Sequence, residues 1–234
     1  MNKLKTTLFA ACSLVLVTIG TSVKADSSNF AGPYIGLTAS GYGIQASSTS
    51  SSGVVSEDTT STTIDKIDIG KVAAVVGIEL GYALPLGSAF LIDIGGTYHS
   101  GEAKIDHNGG DNETAAVSFT IDDLVTFYIA PTLVLSDTSS LYVKVGLSEA
   151  DTGVTGDITT PARLSGTTWA IGTRTVLNSG IFIRTEAGYT DYNGISAHGT
   201  NAANAAAGAG VQATTAYSAE PTIAFGTISL GFRF

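Results

Sequence analysis

The residues in this chain best suited to proton transfer near neutral pH are three histidines, His99, His107 and His198. His99 stands beside Ser100 and close to Glu102, while His198 has Asp191 and Ser196 nearby, so either could serve as the base of a serine nucleophile. A triad is defined by geometry, however, and neither neighbourhood has the spacing of a hydrolase motif. The segment Gly208-Ala209-Gly210-Val211-Gln212-Ala213 imitates a dinucleotide-binding loop but follows no strand and opens no helix, so it reads as a flexible loop. Asp106, Asp111 and Glu113 could attract calcium weakly, although a solvated acidic loop is the simpler reading. There is no His-Glu-x-x-His pattern or cysteine cluster to suggest a metal. The expectation is a protein without enzymatic activity, cofactor or metal.

The chain that must position these residues has 234 residues, of which 44% are hydrophobic and 13% charged. That is about half the usual charged fraction of ~25%. Its 28 glycines disfavour long helices, in which each internal glycine costs about 1 kcal/mol relative to alanine. Residues 1–25 read as a secretory signal peptide: Lys3 and Lys5 give a basic start, Leu8 to Ile19 an apolar stretch, and Val23-Lys24-Ala25 a small-residue cleavage site before Asp26. The apolar stretch is too short for the ~20 residues of a spanning helix. Its removal would take away Cys12, hence any thiol chemistry or disulfide. It would also lower the basic residues from 11 to 8 against 20 acidic ones, giving a net charge of −12. That sign opposes nucleic-acid binding.

Residues 26–234 form a single expected domain whose recurring pattern is alternation with period two. In 74–84, Ala74, Val76, Ile78, Leu80, Tyr82 and Leu84 share one face, and Val75, Gly77, Glu79, Gly81 and Ala83 the other. The same alternation occupies 90–99, 125–133, 141–147, 169–177 and 181–189, and a first strand near Tyr34–Tyr42 and a last one at Ile223–Phe234 make eight. Tight turns are expected at Pro85-Leu86-Gly87-Ser88, Ser136–Ser140 and Asn178-Ser179-Gly180. They alternate with long polar connections at roughly 45–64, 102–115, 149–166 and 193–218, which places every long connection at one end of the strands. Short turns at one end and long loops at the other are the arrangement of an outer-membrane barrel. Closure follows from hydrogen bonding, because an unpaired strand edge in hydrocarbon leaves backbone groups unsatisfied at several kcal/mol each. The fold class expected is therefore all-β: an eight-stranded antiparallel up-and-down transmembrane β-barrel. Tyr82, Phe90, Tyr98, Trp169 and Tyr189 are expected as membrane-boundary aromatics, Phe90 and Tyr98 near opposite boundaries and Trp169 and Tyr189 on the loop side.

The chain ends Ile228-Ser229-Leu230-Gly231-Phe232-Arg233-Phe234, with apolar residues at alternate positions and an aromatic last. This resembles the C-terminal signal of bacterial outer-membrane barrels, and Gly32-Pro33-Tyr34-Ile35-Gly36-Leu37 resembles the first strand of the OmpA, OmpX and opacity-type small barrels. The resemblance spans residues 26–234 as a pattern of residue types. It implies that Ile228, Leu230, Phe232 and Phe234 are read by the barrel assembly machinery, and that the protein resides among outer-membrane lipid of a Gram-negative cell. Small barrels of this kind include lipid A-modifying enzymes, but the histidine and serine that the deacylase pattern carries on a late strand have no counterpart here, since the last strand lacks histidine.

Eight strands enclose an interior about filled by side chains. Its inward positions carry Glu79, Asp93 and Glu186 against Lys144, Arg174 and Arg184, a neutral set. Reflection about the tight turns sets Glu79 opposite Asp93 and Arg174 opposite Arg184; such like-charged neighbours need counter-charges. The acidic pair is expected to meet the basic pair across the lumen, with Lys144 and Glu186 completing the network. Two functional classes follow: a structural or surface-interaction barrel presenting four long loops, and, as the alternative, a channel for small or hydrophobic solutes similar to the OmpW type. Loop composition, as in Ser47–Ser52, favours the first.

Overall fold

The computed structural model describes residues 26–56, 59–107, 117–155, 163–177, 180–201 and 212–234. The expected signal peptide, Asp111, Glu113, most of the 208–213 segment and the tip of the Asn178–Ser179 turn lie outside these residues.

The alternation resolves into β1 (Gly32–Ser56), β2 (Thr59–Pro85), β3 (Phe90–Ser100), β4 (Ala103–His107), β5 (Val117–Val134), β6 (Ser139–Thr155), β7 (Arg163–Val176), β8 (Ile181–Tyr192), β9 (Ile195–Asn201) and β10 (Gln212–Arg233). Eight of these strands close an antiparallel barrel in the order β1-β2-β3-β5-β6-β7-β8-β10, sealed by pairing of β1 with β10 from Tyr34↔Arg233 upward. The short β4 and β9 are additional, pairing with the loop-side ends of β5 and β10.

Two expectations need correction. The long connections are not structureless: β1 and β2 remain paired to Ser56↔Thr59, so the 45–64 stretch is a continued hairpin. Serine and threonine there conceal the strand, because a ladder made by backbone groups does not require greasy and polar residues to alternate. The second correction is register. Glu79 lies opposite Thr97 and Asp93 opposite Ala83, so the two acids are not neighbours. The β2–β3 connection is centred later than expected, at Ser88, where Leu86 N–H donates to Phe90 O at 2.9 Å. Pro85 belongs to β2 rather than to the turn. Arg174 and Arg184, by contrast, are direct cross-strand partners.

The outward face is apolar. Leu37, Val76, Ile78, Leu80, Ile94, Phe127, Ile129, Leu147, Ile171, Ile228 and Leu230 are all exposed, with Phe127 and Leu147 each at 70%. The alternate residues point into the lumen, where Glu79, Asp93, Lys144, Arg174 and Arg184 are buried. Polar side chains inside and oily ones outside invert a water-soluble fold. Glycine has a specific use here. A Cβ at Gly81 would overlap the Tyr34 hydroxyl, and one at Gly172 the Tyr142 hydroxyl, so inward glycines open space for tyrosines on adjacent strands.

Candidate functional site

The lumen is built in layers, each supplied by inward positions of several strands. At the turn-side end, Phe30 is held by a short 3-10 turn (Ser27–Asn29) and packs with Ala83, Leu91, Val134, Phe182 and Tyr34. Above it Asp93, with no exposed area, is paired with Arg174 and accepts a hydrogen bond from Thr132 Oγ1 at 2.6 Å. The Arg174 guanidinium stacks over the Tyr34 ring at 4.7 Å. Its neighbour Arg184 donates through Nη1 to Glu79 Oε2 at 3.2 Å and to Tyr128 Oη at 3.2 Å, and lies 4.4 Å from the Tyr142 ring centre. Tyr142 in turn donates to Glu186 Oε2 at 2.9 Å, and Glu186 is paired with Lys144. The six charges thus form three opposite-sign pairs, with Arg184 and Tyr142 linking two of them into one network. The two arginines sit side by side, each answered by its own acid across the lumen.

The next level is a belt of hydroxyls. Thr126, Ser148, Thr168 and Thr190, on four consecutive barrel strands, are joined by hydrogen bonds of 2.6, 2.5 and 2.7 Å. On the opposite wall Ser40 Oγ lies 2.7 Å from Thr227 Oγ1 and 3.2 Å from His99 Nε2. The loop-side end is closed by Tyr42, Ile44, Val75, Ile121, Leu124, Ala150, Leu164, Tyr192 and Ile223. A void of about 10 Å³ beside His99, within that plug, is about one water in size.

The histidine chemistry raised by the sequence is redistributed by this geometry. His99 is buried in the lumen while Ser100 and Glu102 are exposed, so the serine at hydrogen-bond distance is Ser40, from β1. His99 Nδ1, where a triad carboxylate would orient the ring, has no hydrogen-bond partner among the described residues. Asp106 and His107 lie in β4, and Ser196 and His198 in β9. Among the described residues no group of three His, Cys, Asp or Glu side chains could hold a metal ion.

The aromatics occupy outward positions. Phe90 opens β3 at the turn side and Tyr98 stands toward its other end, donating to Asp123 Oδ1 at 2.6 Å. Tyr82 is three residues from the turn-side end of β2. Trp169 and Tyr189 are cross-strand partners, seven and eight residues from the turn-side ends of β7 and β8. Ile228, Leu230, Phe232 and Phe234 form one exposed stripe, with the last two rings edge to face at 5.2 Å.

What sequence reasoning missed is most of the uncharged lumen beyond the Val75–Ala83 face: the tyrosines, the hydroxyl belt and the way apolar residues gather at both ends. The signal was available in the parity of the strands, since Tyr142 falls on the same alternating set as Lys144 in β6, and Thr168 on that of Arg174 in β7.

Residues 11–214 match the family model described as outer membrane protein beta-barrel domain. The chain belongs to this family. No curated protein sequence matches it. Among solved structures, the outer membrane protein OprG from Pseudomonas aeruginosa superposes with a TM-score of 0.51 at 10% identity, covering 91% of this chain and 100% of OprG. Looser likenesses are Ail, the attachment invasion locus protein of Yersinia pestis (TM-score 0.34, 10% identity, 79% of this chain and 97% of Ail), and the outer membrane protease OmpT from Escherichia coli (0.37, 9%, 85% and 97%). The OprG likeness supports the fold of this outer-membrane barrel, and at that identity the fold alone.

Proposed function

We propose that this outer-membrane β-barrel is a non-enzymatic anchor with a closed interior, whose long strand extensions and loops meet a surface or protein outside the cell. The observation that carries this reading is the packing of the lumen, which among the described residues is apolar at both ends and ionic in the middle. The family and the fold support a place in the bacterial outer membrane. Lipid covers the exposed apolar face in this reading, and the aromatics at its margins mark the membrane boundaries. Export depends on removal of residues 1–25, and insertion on recognition of Ile228, Leu230, Phe232 and Phe234 by the barrel assembly machinery.

The β1–β2 hairpin is the clearest candidate for outside contact. Paired to Ser56↔Thr59, it continues about fourteen residues past Tyr42, or roughly 45 Å of extended chain at 3.3 Å per residue. Purified protein in planar bilayers is expected to show no stable conductance steps; a stable open channel would favour the small-solute reading instead. Incubation with lipid A is expected to release no fatty acid. On intact cells, trimming residues 47–62 is expected to abolish capture of the outside partner while leaving the barrel assembled; unchanged capture would remove the hairpin from the reading.

A further inference from the structure

The turn-side mouth is closed by the chain's own residues 26–31, which cross it as a strap. Ser27 N–H donates to Ser88 O at 2.9 Å and Ser27 Oγ to Gly87 O at 2.5 Å, fixing the strap to the β2–β3 turn. Asn29 Nδ2 donates to Asp137 O at 3.2 Å, fixing it to the β5–β6 turn. Arg233 Nη1 donates to Ser28 O and Ala31 O at 3.0 and 2.9 Å, tying it to the last strand. The strap inserts Phe30, fully buried, into the lower lumen. Its first described atom, Asp26 N, lies 3.2 Å from Asp137 Oδ1. That nitrogen belongs to the residue immediately after the Val23-Lys24-Ala25 cleavage motif.

The geometry points to a latch set by processing: removal of residues 1–25 turns the Asp26 nitrogen into an ammonium that pairs with the Asp137 carboxylate and fastens the strap across the mouth. A leader-removing peptidase is the agent and water the co-reactant. Hydroxide adds to the Ala25 carbonyl carbon, the Ala25–Asp26 C–N bond breaks, and the departing nitrogen takes up protons. The products are an Ala25 carboxylate, which leaves with the leader, and the Asp26 ammonium, which stays. Before cleavage the same nitrogen offers one neutral N–H; afterwards it offers a charge-assisted bond of about twice the strength. The Asp26 carboxylate is itself engaged within the strap, its Oδ1 accepting from Ser28 N at 2.9 Å. Arg233 of β10 is a charged side chain bonded to the strap, and its described bonds go to backbone carbonyls.

The test begins with the N-terminal residue of protein purified from outer membranes, expected to be Asp26; any other start overturns the latch. Next, the rate at which acetic anhydride acetylates the α-amine is followed from pH 6 to 10 in the folded barrel and in urea. Pairing is expected to slow acetylation of the folded protein at pH 7.5 by about two- to fivefold, and 1 M salt to reduce the difference. Asp137→Asn, on an exposed turn, is expected to restore the unfolded-state rate, as is a chain that retains Ala25 and so displaces the amine by one residue. Heat-modifiable migration confirms folding of both forms. Equal acetylation in the native protein and in both altered forms would overturn the proposal, whatever the conductance and cell-surface experiments show.

Discussion

The middle of the lumen and its loop-side end solve the same filling problem with opposite chemistries. In the middle, charged and aromatic side chains occupy the interior. At the loop side nine apolar or aromatic residues do so, with Ile44, Leu164 and Ile223 nearly free of exposed area. The middle lies between the two apolar ends inside a lipid-facing wall, where a buried charge is costly unless paired, and each of the six has its partner within the lumen. The loop-side end borders solvent, where apolar packing is the device that excludes water. A membrane barrel therefore has two cores: a directional one that depends on pairing, and a non-directional one that depends on volume.

The largest effect is expected where pairing is broken. Arg174→Met leaves Asp93 buried and uncompensated and should cost about 3–5 kcal/mol. Urea unfolding in lipid vesicles, followed by the fluorescence of the single tryptophan, measures this. Combining it with Asp93→Asn should recover most of the loss, and an equal or larger loss in the double variant would show that pairing is not what the site requires. In the apolar plug, Leu164→Ala should cost about 2–3 kcal/mol by the same assay, with no partner whose replacement restores it. Thr168→Val breaks the hydroxyl belt at its centre and should cost about 1–2 kcal/mol by leaving Ser148 and Thr190 each short of a partner. Arg163→Ala removes an exposed pair with Asp151 and should change stability by less than about 1 kcal/mol, a difference that added salt erases.

The smallest effect concerns the strap. The Ser28 backbone N–H beside Asp26, aided by the Ser28 side chain, holds its carboxyl below the usual carboxylate range. Because the folded value is depressed, the contribution is complete above the ordinary value of about 4 and fades as pH falls through the lower folded one. Hydrogen exchange at the Phe30 amide, which donates to Ser27 O, should therefore exceed the intrinsic pH trend only in acid below that range.

How legible all this was in the chain differs between the two cores. The charged residues could be placed in the lumen because charge among alternating apolar residues has one tolerable side. The same argument is silent for Tyr142 or Ile223, which either face could accept. Register was legible at Asn178-Ser179-Gly180, where a short turn makes Arg174 and Arg184 opposite partners. It failed at 85–89, where the turn centre is set by the bond from Leu86 to Phe90 rather than by the position of the proline. The extended β1–β2 hairpin was invisible for a related reason: its serines and threonines form a ladder through backbone groups that side-chain type does not report.

The sequence by itself determined the two faces of the wall, since period-two alternation assigns each side chain to lipid or lumen and the scarcity of charge leaves only one arrangement compatible with hydrocarbon. Tertiary structure decided which acid answers which base, how far the strands run beyond the apolar band, and what stops the two ends of the lumen. Those outcomes depend on stagger between strands and on residues brought across a closed ring, such as Asp93 with Arg174 or Ser40 with His99. Closure of the cylinder fixes them; no local stretch of chain contains the information.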